Sequence, residues 1–354
     1  MNLDRSRQLL ADAVVRGVVP GAVLGVALAD DAAVVPAGWQ RLGGERVTAE
    51  TFFDLASLTK PLVTATVAMA LVSRGALSLE ARVVTLVPAF DTGDPRRRDV
   101  TVRDLLAHAS GLPAWRPLYL AHAGRAAITA AAVREPLERA PGSASVYSDL
   151  GFLVLGAALE VAGGAPLEAQ WAPLCEAMGL AASYAPLQMG FAVAATERTF
   201  GAGPGGGGLL EGVVHDENAR AMGGIAPHAG LFGRATDVLA WARALLEVRA
   251  ARSPLPIAPE VLEAFWSPSG VAGSSWCLGF DRPSAVGSSA GALLSRQAVG
   301  HLGFSGTSVW IDPARALVIV LLANRVHPTR ANEEIRALRP ALHDAVLRDL
   351  SRVG

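Results

Sequence analysis

The chain has 354 residues, 51% hydrophobic and 18% charged, a balance that excludes a disordered chain and allows one large domain or two intimate ones. Net charge is −1, and the only dense basic run, Arg96-Arg97-Arg98, sits between Asp94 and Asp99 as a solvated loop would, so nucleic acid is not an expected partner. Cys175 and Cys277 make no disulfide framework and no metal or redox spacing, which fits a reducing compartment.

In chain order, residues 3–17 read as a helix with an apolar face at Leu9, Leu10, Val14 and Val15. The start has no hydrophobic h-region and no small-residue cleavage site, so no signal peptide is expected. Residues 21–30 and 33–39 read as two strands of a hairpin turned at Asp30-Asp31. Residues 57–75 read as a buried apolar helix with Pro61 in its first turn and Gly75 at its end. Thr101 to Asp104 has the pattern of a capping box ahead of Leu105 and Leu106. Asp149 to Ala162 reads as another apolar helix, stopped by Gly163-Gly164. Gly201 to Gly208 reads as a mobile glycine-rich loop, and no Gly-Lys-Ser/Thr follows it to make a phosphate cradle. A helix begins at Thr236-Asp237. Strands follow at 307–311 and 317–322 around the turn Asp312-Pro-Ala-Arg315, and a long helix is expected over 329–351. Val318-Ile319-Val320 suits a central strand buried on both faces. Strands at both ends with helices between them give an α+β order, a helical insertion splitting a sheet domain. The apolar runs at 61–72 and 316–323 are too short to span a bilayer, so the expectation is a soluble, cytoplasmic protein with no membrane partner.

Lys60 is the only lysine; every other basic side chain among the 31 Lys and Arg residues is arginine. It stands three residues after Ser57, and at helical spacing i and i+3 share a face. A helix start offers free N–H groups and positive potential to a nucleophile and an oxyanion. Lysine can give up its proton when desolvated, which arginine cannot. On these residues alone an ordinary lysine remains an alternative, although apolar Leu58 and Pro61-Leu62-Val63 surround it.

Further motifs make the chain resemble the serine β-lactamase and penicillin-binding-protein superfamily, in its class C β-lactamase-like branch, which includes esterases and D-amino-acid peptidases. Ser57-Leu-Thr-Lys60 matches the first motif, Tyr147-Ser148-Asp149 the second and His301-Leu302-Gly303 the third. Leu105 to Leu112, His228 to Phe232 and Phe304 to Thr307 support them, so the likeness spans about 15–330 in the family's order. The resemblance implies a β-lactamase/DD-peptidase-like fold. An antiparallel sheet domain flanked by helices would take residues 1–60 and 225–354, a mainly helical domain 61–224, and the active site would lie between them. It implies Ser57 as the acylated nucleophile, Lys60 as an aid to its deprotonation and Tyr147 as partner base. The backbone N–H groups of Ser57 and Phe304 would form the oxyanion hole. Asp149, His301 and Gly303 would stand on the substrate side, with Trp115 at its border.

Two positions depart from the family. Asp149 stands where many relatives have Asn, and a carboxylate near Lys60 would favour the charged amine. His301 stands where β-lactamases have Lys, and a neutral imidazole grips a carboxylate less well. Both favour an ester, or an amide or peptide-like small molecule, over a β-lactam; a true β-lactamase or D-Ala-D-Ala carboxypeptidase is the alternative. A non-catalytic recognition protein on the same fold and a metal hydrolase using His215, Asp216 and His228 are further alternatives. The histidines lack a familiar ligand spacing, so neither metal nor cofactor is expected. His108 reads as structural, and Trp171, Trp266, Trp276 and Trp310 as core or pocket wall. Oligomeric state is not readable.

Overall fold

The computed structural model describes residues 1–200 and 207–351. Five antiparallel strands form one sheet, in the order Asp31–Gly38, Gly21–Leu28, Leu317–Ala323, Ser308–Asp312, Val299–Leu302. The first and last parts of the chain therefore build the sheet together, and Leu317–Ala323 is its fully buried central strand. Its period of two is apolar on both sides. Val318, Val320 and Leu322 pack with Trp241 and Leu245 of the helix Ala235–Arg249, whereas Leu317, Ile319 and Leu321 pack with Leu10, Leu342 and Val346 of the terminal helices. Each such side chain taken from water contributes about 1.5–3 kcal/mol.

Between the sheet's two sequence segments the described chain is mainly helical, with a two-residue ribbon pairing Arg198–Thr199 with Gly208–Leu209. Of the expected loop at 201–208, residues 201–206 lie outside the described residues, and Gly208 opens that ribbon. One apolar cluster runs from Val318 and Val320 on the sheet through Leu62 to Phe152 and Leu159 in the helices, so sheet and helices share a core. The capping box at Thr101 forms with both of its hydrogen bonds, and Asp149–Gly163 ends on Gly164 in the left-handed conformation.

Four expectations need correction. The first helix covers Asp4–Val15 and buries Ser6, Leu10 and Ala13, while Val15 is 86% exposed. Ser6 enters the core because its N–H and hydroxyl both reach Asp349 Oδ2, a partnered burial that the apolar pattern does not register. Residues 57–75 do not form one α-helix. Ala56–Leu58 is a 3₁₀ turn and Lys60–Ala65 a π-helical turn, and only Thr66–Ser73 is α-helical. Pro61 supplies no N–H to the ladder, and the Thr64 and Thr66 hydroxyls donate to the carbonyls of Pro227 and Pro61. Counted through its irregular start, Ala56–Ser73 is long and apolar enough to cross a membrane, contrary to the sequence expectation, but it is 83% buried inside the protein as a core helix. The last helix begins at Ile335, not 329, because Arg325 Nη1 holds the carbonyls of Arg330 and Asn332 in a loop ahead of it.

Candidate active site

Ser57 stands on a tightly fixed turn. Ala56 immediately before it has φ +49°, a conformation that costs an L-residue roughly 1–2 kcal/mol. Asp54, fully buried, holds that conformation: Oδ1 accepts the Ala56 N–H at 2.8 Å and Oδ2 the His215 N–H at 2.7 Å. Burial raises the Asp54 pKa, and these two N–H donors oppose the rise. The hydroxyls of Ser305 and Thr307 donate to the carbonyls of Asp54 and Leu55, tying the turn to the hairpin between Val299–Leu302 and Ser308–Asp312. Gly303 is required at that hairpin. A Cβ there would lie 2.0 Å from Thr307 Oγ1 and 2.7 Å from Leu55 O, so only glycine lets the strand end approach the Ser57 turn.

Ser57, Lys60, Tyr147 and Asp149 come together. Lys60 Nζ donates to Ser57 Oγ and to the His228 carbonyl, each at 3.0 Å, and lies 2.7 Å from Asp149 Oδ1. Two of its N–H bonds are thereby used, the Asp149 contact is an ion pair, and the side chain has no exposure to solvent. Burial pulls the Lys60 pKa down, but Asp149 and then Tyr147 more than offset it, so the net shift is upward. Tyr147 Oη donates to Ser57 Oγ at 2.7 Å. Burial pushes the Tyr147 phenol up to about 12, against the pull of Lys60. The resting site is therefore an ammonium and a phenol, both donating to the serine oxygen.

Tyr147 is bracketed by His108. The His108 carbonyl accepts the Val146 N–H at 2.8 Å, its Nδ1 accepts the Ser148 N–H at 3.1 Å, and its ring lies 4.7 Å from the Tyr147 ring. Burial first, and Lys60 next, hold the His108 pKa well below the usual histidine range. This histidine has φ +56° and fixes Tyr147 from both flanks.

Ser57 opens into a cavity of about 600 Å³ whose wall includes Tyr147, Trp276, His301, Gly303 and Phe304. His301 lies on the edge strand, buried, with Nδ1 2.8 Å from the Leu302 carbonyl. A carbonyl only accepts, so Nδ1 carries the hydrogen and Nε2 is left as an acceptor; that Nε2 is buried without a partner. Burial, with Lys60 adding to it, lowers the His301 pKa to about 3, so the ring is neutral over the physiological range. Asp149 is set beside Lys60 and does not line the cavity. Trp115 is also outside the lining, 39% exposed, with Tyr119 6.5 Å away. The aromatic wall is Trp276, 5.5 Å from both the Tyr147 and the His301 rings.

His215 and His228 diverge. His215 Nε2 lies 3.0 Å from Glu197 and His228 Nε2 2.9 Å from Asp216. Among the described residues no three His, Cys, Asp or Glu side chains share a metal-binding geometry. Asp54, which holds the Ser57 turn, went unmarked in the sequence, and His108, read there as structural, holds Tyr147. Their signals, a lone carboxylate between apolar residues and a histidine in a loop phrase, are ones that structural residues also give.

The fold is that of the β-lactamases and penicillin-binding proteins, and the chain is a serine hydrolase. A family model described as Beta-lactamase matches residues 7–343, and the chain belongs to that family. N-acetylmuramyl-L-alanine amidase of Bacillus subtilis (strain 168) is 33% identical over 311 residues, covering 80% of this chain and 70% of the relative. A protein of Escherichia coli (strain K12), provisionally named as a D-alanyl-D-alanine carboxypeptidase, is 31% identical over 321 residues, 82% of this chain and 72% of the other. Among solved structures, EstCE1, a hydrolase with promiscuous acyltransferase activity, superposes with a TM-score of 0.79 at 21% identity over 97% of each chain. SurE superposes with a TM-score of 0.72 at 26% identity over 99% of this chain and 75% of that one.

Proposed function

We propose that the chain is a class C β-lactamase-like hydrolase that cleaves an ester or amide bond through an acyl-enzyme on Ser57. The observation that carries this reading is the pair of donors, Lys60 Nζ at 3.0 Å and Tyr147 Oη at 2.7 Å, converging on Ser57 Oγ at the cavity wall. The working base is this cluster with one proton fewer, written as Tyr147 phenolate beside Lys60 ammonium. Ser57 Oγ attacks the substrate carbonyl carbon and its proton passes to Tyr147 Oη. The carbonyl electron pair moves to oxygen, facing the N–H groups of Ser57 and Phe304. Collapse re-forms the carbonyl and breaks the bond to the alcohol or amine, which takes the proton back from Tyr147. Water then repeats the sequence: its proton goes to Tyr147, its oxygen bonds the acyl carbon, and Ser57 departs with the proton.

The acceptor Nε2 of His301 favours a substrate bearing an N–H or O–H at that point over one bearing a carboxylate. An amide or peptide-like substrate, in keeping with the name of the Bacillus relative, supplies such a donor. The carboxypeptidase reading has its own support in Arg336, on the same cavity wall and, among the described residues, ion-paired only with exposed Glu333 three residues before it.

A panel of p-nitrophenyl acetate, short amino-acid amides, a D-Ala-D-Ala peptide and a chromogenic cephalosporin tests both. Intact mass should show an acyl adduct lost in Ser57→Ala, and Tyr147→Phe should lower kcat by about 10²–10⁴-fold. Turnover surviving Ser57→Ala would overturn the reading.

A further inference from the structure

We propose that Arg339 is a positioning residue for the oxyanion hole, acting through the Gly303–Phe304 peptide; the inference rests on the proposed role of the Phe304 N–H. Arg339 is 7% exposed and, among the described residues, pairs with no carboxylate. A buried cation without an anion is costly, and apolar packing would serve stability as well. Its contacts show what it does instead. Nη2 donates to the Gly303 carbonyl at 2.6 Å and to the Thr307 carbonyl at 2.9 Å.

The Gly303 carbonyl and the Phe304 N–H belong to one peptide unit. A guanidinium on the oxygen draws electron density from the amide and makes its N–H a stronger donor, because hydrogen bonds in series polarise one another. Phe304 lies in the wall of the Ser57 cavity, and Arg339 and Arg325, both largely buried, stand in the same wall with their N–H groups on the carbonyls that flank it. Arg325 holds the next peptide likewise, Nε donating to the Phe304 carbonyl at 2.8 Å. Two buried cations thus grip the carbonyls on either side of Phe304. Hairpin geometry alone does not call for charge here: Gly303 N–H already reaches Thr307 O at 2.8 Å, and Gly306 N–H reaches Gly303 O at 3.2 Å. The charge has a use if negative charge develops on the other side of the peptide, as it does in acyl transfer.

The test compares wild type, Arg339→Lys and Arg339→Gln, the last keeping an N–H donor without the charge. The enzyme is acylated with p-nitrophenyl acetate carrying a ¹³C carbonyl, and the ester band is read by difference infrared spectroscopy beside kcat, KM and the melting temperature. In wild type the band should be red-shifted relative to the same ester in water. Arg339→Gln should move it to higher wavenumber and lower kcat about tenfold or more with KM changed less than about threefold, and Arg339→Lys should restore part of both. A wild-type band in Arg339→Gln overturns the proposal, whether or not the melting temperature falls, and leaves the Ser57 reading standing. Absence of a Ser57 ester in the wild type overturns that reading and this inference with it.

Discussion

Lys60 Nζ and Asp149 Oδ1 stand 2.7 Å apart, on the only lysine of the chain and on a carboxylate where the family resemblance leads one to expect Asn. The pair sets the protonation of the site. With Asp149 present the Lys60 pKa lies above its ordinary value, so the reactive form, one proton poorer, gains population only as pH rises into the alkaline range. Burial remains the largest influence on Lys60, and in Asp149→Asn it acts unopposed by the carboxylate. The rising limb of kcat/KM against pH should therefore move to lower pH by about one unit or more, and activity near neutrality should increase. Stability should change in the other sense. The raised Lys60 pKa stabilises wild type fully below the unfolded value of 10.5, a contribution lost as pH climbs through the folded value. Asp149→Asn should lose about 3–5 kcal/mol where Lys60 remains charged and regain stability as pH rises toward 10. A pH–rate profile that stays put or moves to higher pH would refute this account.

Asp54 gives a separable effect. Asp54→Ala removes the acceptor of the Ala56 and His215 N–H groups and leaves both buried. Unfolding free energy should fall by about 2–5 kcal/mol, and the Ser57 turn, no longer held at φ +49° of Ala56, should lose kcat at unchanged temperature. Urea unfolding and steady-state kinetics on the folded variant check this. Full kcat in the destabilised protein would show that Asp54 serves stability alone.

The central strand was legible because Leu317–Ala323 is an unbroken, β-branched apolar run bounded by turn residues, whereas the sheet's edge strand at 299–302 entered only through the likeness of His301-Leu302-Gly303 to a known motif. Ser57, Lys60 and Tyr147 were legible because serine, a solitary lysine and a rare tyrosine are chemically marked. What sequence could not show is direction. Trp115 and Trp276 are both loop tryptophans, yet of the two only Trp276 lines the cavity, and its loop is held by long-range backbone hydrogen bonds from Leu278 and Gly279 to the carbonyls of Phe265 and Leu106. The irregular helix start at Ala56–Ala65 was hidden for a related reason. Its hydrogen bonds run to Pro227 and His228, 163 and 168 residues away.

His301 makes the substrate reading testable in reverse. His301→Lys replaces a neutral acceptor by an ammonium donor on the cavity wall. A charge-assisted bond to a carboxylate is worth roughly 1.5–3 kcal/mol, so kcat/KM for a carboxylate-bearing peptide, relative to its neutral amide, should rise about tenfold or more. The paired measurement cancels general damage to the site. An unchanged ratio would place the substrate's carboxylate, if it has one, elsewhere along the cavity.

Three buried histidines set an acid limit. His301 and His343 are held near pKa 3, in each case by burial first, and His108 well below the ordinary value. Each is neutral when folded and protonates near 6.5 when unfolded, so the unfolded state binds more protons as pH falls below 6.5. The sign is therefore destabilising toward acid, with full stability above that value and a loss that continues down toward the folded pKa. His301 and His343 each contribute about 1.4 kcal/mol per pH unit in this window, and His108 adds to the fall in the same direction. Thermal melts between pH 7 and 5 should show a steep fall. In His343→Gln, which keeps a polar side chain opposite the Ser308 hydroxyl and the Ser289 carbonyl, the slope should drop by about 1.4 kcal/mol per pH unit. A slope unaltered in that variant would assign the acid sensitivity to carboxylates instead.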